Sequence, residues 1–335
     1  MDDNLDNVKM RVERFILEPF EEKLLEQNVN EIFHYTTAEG LKGILDSGYF
    51  FASRSDFLND YTEMQYCWSL VLELVNSLKE KSESANERIF YDEVKQEIET
   101  FRTEIDELEE MFIISFTKNR DSLAMWSHYS DNDGYNIALN LKPNIKMWKE
   151  ILKTVDFRYG AVIYNVEKQK EILKKEISKA LSLWKEIRNT DESLGFFVVD
   201  ALEYRIKIWT MFFKNNLFEE EQEVRAVFSR ENHAINKELL KKMIREGHPE
   251  KSIIEIEEIV EDLFNENKEC NKEFRVRNNM IYPFIRIKFN KESIAGVKVG
   301  PTNKIDKALL GVSMYLESMG LKNRDVKRSD CPLRF

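Results

Sequence analysis

Residues 32–50 read IFHYTTAEGLKGILDSGYF, and this stretch predicts a strand, a helix and a second strand. Thr36–Glu39 has the three-residue spacing of a capping box, which predicts that the helix begins there. Gly48 predicts that the helix ends in a left-handed residue. His34 and Tyr35 are therefore predicted at the end of a buried strand just before a helix, where many α/β proteins have catalytic or ligand-binding residues.

The composition is that of an acidic, charge-rich chain. Its 335 residues include 50 Lys and Arg against 61 Asp and Glu, which gives a formal net charge of −11. A broad nucleic-acid or anionic-membrane surface needs clustered cations, so this balance argues against both and leaves room only for a local basic pocket. No stretch approaches the roughly 20 apolar residues of a membrane span, and the acidic start does not resemble a signal peptide.

The cysteines and histidines are few and scattered. The chain has three cysteines, an odd number, and they are far apart in the sequence: Cys67, Cys270 and Cys331. We therefore expect no disulfide framework and a reducing environment. Together with the histidines they offer no zinc-ligand spacing, and the sequence therefore predicts no metal site. We expect a soluble, cytoplasmic protein.

Apolar residues repeat at steps of three and four along two consecutive segments. The first stripe is Tyr61–Leu78 and the second is Tyr91–Leu108. They predict a long helical hairpin over residues 60–110, which we interpret as a packing arm or a dimer contact. A further charged segment, residues 235–265, is predicted to be helical and peripheral.

Strands and helices are mixed irregularly along the chain, which favours an α+β fold over a doubly wound array. We predict a single domain over residues 1–335, with a split or mixed central β-sheet, flanking helices and the hairpin as an insertion. Residues 111–116 are predicted to form a central strand. Residues 121–122 after it are predicted to cap a short helix that carries Tyr129.

No complete catalytic motif is present, because the P-loop, the dinucleotide-binding turn, the nucleophile elbow and the zinc-protease signature are all missing. One acidic run is more informative, since a period of two places Glu221, Glu223 and Arg225 on one face of a predicted strand. If that face is exposed, the charges form a solvated ladder of little energetic value. If it lines a cleft, it is a carboxylate site, with Lys214 as a second cation nearby.

His34 and Tyr35 allow two interpretations of equal weight. They are functional groups, or they are a histidine satisfied by a neighbouring carbonyl and a tyrosine of the core. Tyr129 also allows two interpretations, as an aromatic residue of the core or as a contact to a ligand. Arg54, just after the second strand, is a further candidate.

The chain resembles the bacterial domain-of-unknown-function 2971 (DUF2971) family. The motifs that carry the resemblance follow one another in unbroken order and are Phe33-His34-Tyr35-Thr36, Phe57-Leu58-Asn59-Asp60, Ser115-Phe116, Met125-Trp126-Ser127-His128-Tyr129, Phe213-Lys214, Glu221-Gln222-Glu223-Val224-Arg225, Tyr282-Pro283 and Gly300-Pro301. The family usually has proline after the Asn-Asp pair, where this chain has Tyr61. The family has no settled activity, so this resemblance alone implies no reaction.

The opening stretch is also similar to the start of ADP-ribosyltransferase-like domains, which bind NAD in the cleft of a split sheet. That resemblance implies that His34 holds a ribose hydroxyl and that Glu223, or Glu221, bonds the nicotinamide ribose. It also implies that Tyr129 or Tyr35 stacks on nicotinamide. Positive charge develops on the sugar when nicotinamide leaves, and a fixed carboxylate stabilises that charge.

The same resemblance implies NAD as the substrate and a wider set of contacts to it. Arg54 or Arg225 would meet the pyrophosphate, and Thr36, beside the His-Tyr pair, completes the binding set. The negative net charge gives no long-range attraction for an anionic dinucleotide, so recognition has to be local.

We therefore expect an NAD-using ADP-ribosyltransferase or NAD glycohydrolase that acts on a protein or nucleic-acid acceptor, as an effector in phage defence. An alternative from another class is a non-catalytic sensor or scaffold that uses the helical hairpin for partner binding or self-association. A further alternative is a metal-dependent nuclease or hydrolase built on Asp60, Glu63, Glu221 and Glu223.

Overall fold

The structure is a computed structural model, and it describes residues 2–17, 30–57, 62–104, 109–130, 132–151, 156–231, 252–255, 257, 272–277, 279–303 and 305–332. The chain divides into two compact units. The helical unit contains Met1–Leu25, Asn59–Ile105 and Ala161–Glu219, and the sheet unit contains Glu26–Leu58, Asp106–Gly160 and Glu220–Phe335. The predicted single domain with insertions at 60–110 and 235–265 stays a prediction, and most of 235–265 lies outside the described residues.

The described helices are, in chain order, α1 (Asp2–Leu17), α2 (Ala38–Ser47), α3 (Thr62–Lys81), α4 (Ala85–Glu104), α5 (Leu123–Ser130), α6 (Leu141–Ile151), α7 (Val166–Thr190), α8 (Phe196–Thr210) and α9 (Ile305–Ser318). Short 3₁₀ turns cover Ser55–Phe57, Glu192–Leu194, Asn216–Glu221 and Lys291–Ser293. None of the helices in the described part of the chain is long and apolar enough to cross a membrane.

The described strands are β1 (Glu31–Thr36), β2 (Tyr49–Arg54), β3 (Glu109–Thr117), β4 (Tyr135–Asn140), β5 (Asp156–Ala161), β6 (Glu223–Glu231), β7 (Lys272–Arg277), β8 (Met280–Lys288), β9 (Ile294–Val299) and β10 (Asp325–Arg328). They form one sheet in the order β10-β9-β4-β1-β3-β2-β8-β7, with β6 on β3 and β5 on β6. β9 and β10 are parallel, whereas β1, β2 and β6 each run antiparallel to β3. The predicted α+β fold with a mixed sheet is therefore confirmed.

The predicted pair of long helices is present in the helical unit, where residues 82–84 join α3 to α4. The described part of each apolar stripe is mostly buried. The stripe residues that are at most 2% exposed are Trp68, Val71, Val75, Val94 and Ile98, and Cys67 and Phe90 next to them are equally buried. Trp184 of α7 packs edge-on against Phe90 at 5.4 Å and donates from Nε1 to Glu93 at 2.8 Å. The stripes are therefore used to fold the unit.

A buried ion pair joins α8 to α7 in the same unit. Arg205 binds Glu176 through two hydrogen bonds, from Nε to Oε2 at 2.7 Å and from Nη2 to Oε1 at 2.9 Å. Its Nη1 also donates to the Phe15 carbonyl at 3.0 Å, near the end of α1, where carbonyl groups have no partner within the helix. One guanidinium thus satisfies both a carboxylate and a helix end, which allows the charge to be buried.

β3 lies at a fork in the sheet. β6 follows one edge of β3 along its whole length. β1 and β2 share the other edge, since β1 pairs at Thr117 and β2 pairs at Ile113 and Phe112. The two strands therefore diverge between these points, beside Ser115.

The stretch that predicts β1, α2 and β2 folds as expected, with one correction. Gly48 ends α2 in the left-handed conformation, with a φ of 73°, as predicted. The N-cap is Thr37 and not Thr36, and the Thr37 hydroxyl accepts from the Gly40 amide at 3.2 Å. Thr36 still pairs with Tyr135 in the sheet, so its backbone belongs to β1 and the helix begins one residue later.

Candidate functional site

The sheet unit has two chemically different faces around β1, β3 and β6. Phe33 pairs with Thr117, and Thr117 pairs with Glu223, so these three side chains project from one face. Because side chains alternate along a strand, Tyr35 shares that face and His34 projects from the other. We call the face with Tyr35, Thr117 and Glu223 the polar face, and the face with His34 the apolar face.

His34 lies among aromatic rings on the apolar face. Its ring centroid is 5.2 Å from that of Phe50 and 5.7 Å from that of Phe116, and both rings meet it edge-on. Nδ1 lies 3.0 Å from the Ser115 carbonyl oxygen, which can only accept, so Nδ1 carries the hydrogen. Burial lowers the pKa of His34 to about 4, although the bond to Ser115 opposes this shift. The imidazole is therefore neutral near pH 7.

The resemblance to ADP-ribosyltransferase-like domains implies that His34 and Glu223 line one cleft, and the strand pairing corrects this expectation. The two side chains project from opposite faces of the sheet, so the structure does not bring them together. The interpretation of His34 as a histidine satisfied by a neighbouring carbonyl describes its contact with Ser115. His34 is thus a packed residue of the apolar face.

Glu223 and Arg225 form an ion pair on the polar face. Arg225 donates from Nε to Oε1 at 2.8 Å and from Nη2 to Oε2 at 2.9 Å. Both side chains are buried, with 3% of Arg225 and 7% of Glu223 exposed. They are two residues apart on β6 and therefore share a face, as the sequence predicts. Both carboxylate oxygens of Glu223 thus accept from one guanidinium.

Glu221 lies outside the strand that the sequence predicts for it. It ends the 3₁₀ turn Asn216–Glu221, and β6 begins only at Glu223. Between them Gln222 has a φ of 46°, a left-handed conformation that is uncommon for residues other than glycine. Tyr129, near the end of α5, donates from its hydroxyl to Oε1 of Glu221 at 3.0 Å. A phenol from another element therefore orients this carboxylate, which is only 9% exposed.

Tyr35 uses its hydroxyl group to hold a loop. The hydroxyl donates to the Asn119 carbonyl at 3.1 Å and accepts from the Ser122 amide at 3.1 Å. The ring meets that of Trp126 edge-on at 4.7 Å, and burial raises the pKa of Tyr35 well above its ordinary value. Of the two tyrosines that the resemblance implies for stacking, Tyr129 is the one in contact with a site carboxylate, and Tyr35 is committed to the loop.

Asp121 organises that loop, a role for which the sequence carries no signal beyond that of a helix cap. Its carboxylate accepts from Trp126 Nε1 at 2.7 Å, from Lys298 Nζ at 2.6 Å and from Ser329 Oγ at 2.6 Å. Burial alone would raise the pKa of Asp121, but these hydrogen bonds outweigh burial and lower the pKa to about 2. A carboxylate held ionised in this way ties β9 and the chain after β10 to the start of α5.

Asn136 is a second residue of the polar face that the resemblance did not single out. It pairs with Tyr35 across β1 and β4 and is 1% exposed. Its Nδ2 donates to the Arg120 carbonyl at 2.8 Å. The loop between β3 and α5 is therefore held by side chains from two neighbouring strands, β1 and β4.

Thr36 and Arg54, the other predicted ligand contacts, lie elsewhere in the sheet unit. Thr36 packs against the start of α2, where a Cβ added at Gly40 would stand 2.0 Å from the Thr36 hydroxyl oxygen. Arg54 lies beside the first half of β3 and donates from Nη1 to Glu110 at 3.3 Å. Glu110 and Thr117 are at opposite ends of β3, so the structure does not place Arg54 beside the glutamates of the polar face.

The alternative of a metal-dependent hydrolase depends on residues that the structure describes only in part. Within the described ranges, no group of three or more His, Cys, Asp or Glu side chains is placed to hold a metal ion. Asp60 and the side chain of Glu63 lie outside the described part of the chain. This alternative therefore stays a prediction.

A family model described as a protein of unknown function (DUF2971) matches residues 125–226. The matched segment contains Tyr129, Glu221, Glu223 and Arg225. The predicted resemblance to this family is confirmed by that match, whereas the resemblance to ADP-ribosyltransferase-like domains stays a prediction. No curated protein and no solved structure matches the chain.

Proposed function

We propose that this chain, whose residues 125–226 match the DUF2971 model, cleaves NAD, as an ADP-ribosyltransferase or NAD glycohydrolase, with Glu221 as its catalytic carboxylate. The observation that carries the proposal is the hydrogen bond from Tyr129 to the nearly buried carboxylate of Glu221. The Glu223–Arg225 ion pair follows directly along the chain. An oriented carboxylate, an aromatic ring and a guanidinium are among the groups that the resemblance to ADP-ribosyltransferase-like domains implies.

NAD cleavage requires a carboxylate beside the nicotinamide ribose. As the bond between ribose C1′ and the nicotinamide nitrogen breaks, the electron pair leaves with nicotinamide and positive charge develops on the sugar. A fixed carboxylate stabilises that charge. A hydroxyl group of the acceptor, or water, then bonds to C1′ and loses a proton. In this proposal Tyr129 fixes the position of Glu221. Glu221 stabilises the sugar, and the ring of Tyr129 stacks on the leaving group.

The two glutamates that the sequence left as alternatives differ in what binds them. Glu223 accepts from Arg225 at both oxygens, so a positive charge offsets its own within the strand. Glu221 accepts from the hydroxyl group of Tyr129, a residue of α5. The contact with Tyr129, one of the two tyrosines that the resemblance implies for stacking, supports Glu221 as the residue that acts on the sugar. Glu223 then has the role of fixing Arg225.

The scaffold alternative stays a prediction. It rests on the apolar stripes of α3 and α4, and the best-buried residues of both stripes pack inside the helical unit.

The direct test incubates the purified full chain with NAD, alone and with protein or nucleic acid, and measures the nicotinamide released. Glu221→Gln keeps the shape of the side chain and removes its charge, and we expect it to lower kcat by roughly a hundredfold or more. His34→Gln on the apolar face is the matched control, and we expect the folded variant to retain kcat.

The proposal is overturned if the wild-type protein releases no nicotinamide with any acceptor, or if Glu221→Gln keeps full kcat. Equal inactivation of folded His34→Gln and Glu221→Gln would also overturn it, since His34 lies on the other face. NAD labelled in the adenine separates the two activities. A transferase moves the label onto the macromolecule, and a glycohydrolase leaves it in free ADP-ribose.

A further inference from the structure

We propose that Thr117 is a positioning residue for Glu221 and that Asn119 assists it. The catalytic meaning of this inference rests on the proposed function, whereas its structural part can be tested without NAD. The proposal comes from three consecutive carbonyl groups, those of residues 220–222, which are all held by residues 117–119. We call residues 117–119 the clamp.

The clamp runs between the end of β3 and the turn before β6. Its hydrogen bonds are Thr117 Oγ1 to the Glu221 carbonyl at 2.5 Å, the Lys118 amide to the Gln222 carbonyl at 2.9 Å, and Asn119 Nδ2 to the Glu220 carbonyl at 2.6 Å. The carbonyl groups of Glu220, Glu221 and Gln222 therefore each accept a hydrogen bond from the clamp.

Thr117 is central to the clamp because its hydroxyl is used twice. The hydroxyl donates to the Glu221 carbonyl and accepts from the Asn119 amide at 2.9 Å. Thr117 is 1% exposed, so water does not replace a lost bond there. The Asn119 carbonyl in turn accepts from the Tyr35 hydroxyl, which anchors the clamp to β1.

The clamp holds a backbone conformation that the residue types do not favour. Gln222 has a φ of 46°, at which the Cβ of an L-residue crowds the carbonyl group that follows it. A residue in such a conformation persists when the surrounding contacts over-determine it. Without the clamp, Gln222 would relax toward an extended conformation, the peptide units on either side would rotate, and Glu221 would turn away from Tyr129.

Two substitutions of Thr117 distinguish a role in positioning Glu221 from a contribution to the stability of the fold alone. Thr117→Val keeps the shape and removes the hydroxyl, and Thr117→Ser keeps the hydroxyl. We expect Thr117→Val to lower kcat for NAD by roughly tenfold to a hundredfold with little change in KM, because a misplaced carboxylate acts on the transition state. We also expect faster amide hydrogen exchange in residues 118–122 and 222–224 without NAD. Thr117→Ser should restore both.

Thr210→Val is the matched control, since Thr210 is also 1% exposed and donates from Oγ1 to the Lys207 carbonyl at 2.6 Å. It lies in the helical unit and is expected to leave kcat unchanged. Wild-type exchange rates in Thr117→Val, or a failure of Thr117→Ser to restore them, would overturn the clamp. Faster exchange with wild-type kcat would overturn the positioning role. If the wild-type protein does not cleave NAD, the proposed function fails and hydrogen exchange alone decides on the clamp.

Discussion

The two faces of the sheet around β1 and β3 are both buried, yet they differ in what their side chains do. On the apolar face, Phe50, Phe116 and His34 pack ring against ring, so these residues contribute mainly to stability. On the polar face, Thr117 donates a hydrogen bond to the Glu221 carbonyl, and Glu223 forms an ion pair with Arg225. Neighbouring residues of one strand thus support folding on one side and orient charged groups on the other. Substituting neighbours on opposite faces measures that difference.

The largest effect is expected on the apolar face. Phe116 is 3% exposed and contacts both Phe50 and His34, so Phe116→Ala should lower the free energy of unfolding by about 4 kcal/mol. Thr117→Val, at the next position, keeps the volume and loses one hydroxyl, and it should cost about 1 to 2 kcal/mol. Urea unfolding followed by tryptophan fluorescence measures both. Equal losses would contradict the division between the faces.

His34 should make the apolar face sensitive to pH. Its pKa of about 4 in the fold lies below the value of 6.5 for an unfolded histidine, so protonation favours unfolding. The stability contribution is therefore complete above pH 6.5 and is lost as the pH falls toward 4, by up to about 3 kcal/mol.

His34→Leu should remove this pH dependence, which urea unfolding at a series of pH values measures. His128, exposed on α5, provides the matched control variant His128→Leu. A pH dependence that persists in His34→Leu but disappears in His128→Leu would contradict the assignment to His34.

On the polar face, Asp121 should titrate in a lower pH range. Its pKa of about 2 lies below the value of 3.8 for an unfolded aspartate, so the fold favours the ionised form. Its contribution of about 2 kcal/mol is complete above pH 4 and is lost as the pH falls toward 2. Asp121→Asn should therefore be destabilising at pH 7 and nearly neutral at pH 2, as measured by thermal unfolding. An equal loss at both pH values would assign the effect to hydrogen bonding and not to charge.

The smallest effect concerns the turn between Glu221 and Glu223. Glycine has no Cβ, so it adopts the φ of 46° at position 222 without steric strain. This relief of strain slightly exceeds the extra conformational entropy that glycine loses on folding. Gln222→Gly should therefore stabilise the protein by about 0.5 kcal/mol, and Gln222→Val should destabilise it by about 1 kcal/mol. Urea unfolding compares the two variants. A greater loss with glycine than with valine would show that the glutamine side chain is what matters.

The local turns could be predicted because their chemistry acts within a few residues. A threonine cap and a left-handed glycine are enough to delimit α2 within residues 32–50. The sequence predicts the cap one position too early because two threonines are adjacent, and only the pairing of Thr36 with Tyr135 in the sheet decides between them.

The assignment of residues to faces could not be predicted. Ile32 and Phe33 are both buried, so β1 has no exposed side from which the alternation could be oriented. His34 and Tyr35 had to lie on opposite faces, but nothing local indicates which face carries Glu223. That information lies in the pairing of β1, β3 and β6.

Long-range contacts and an unusual backbone explain the remaining differences. Asp121 is bound by Lys298 and Ser329, which are 177 and 208 residues away, so the sequence shows only its helix-cap signal. The left-handed conformation of Gln222 has no signal because the residue is not glycine. An uninterrupted period of two therefore predicts a strand that includes Glu221, whereas β6 begins only at Glu223.

The fork at β3 also has a consequence for protein synthesis. One edge of β3 is bordered by β1 and β2, which the ribosome makes first, but the other edge is bordered by β6, which emerges only after α5 to α8. Until then the nascent chain carries an apolar strand with an open edge, and such an edge is a template for aggregation with other chains. The translation of α5 to α8 is thus the period in which a chaperone bound to β3 would protect the chain most.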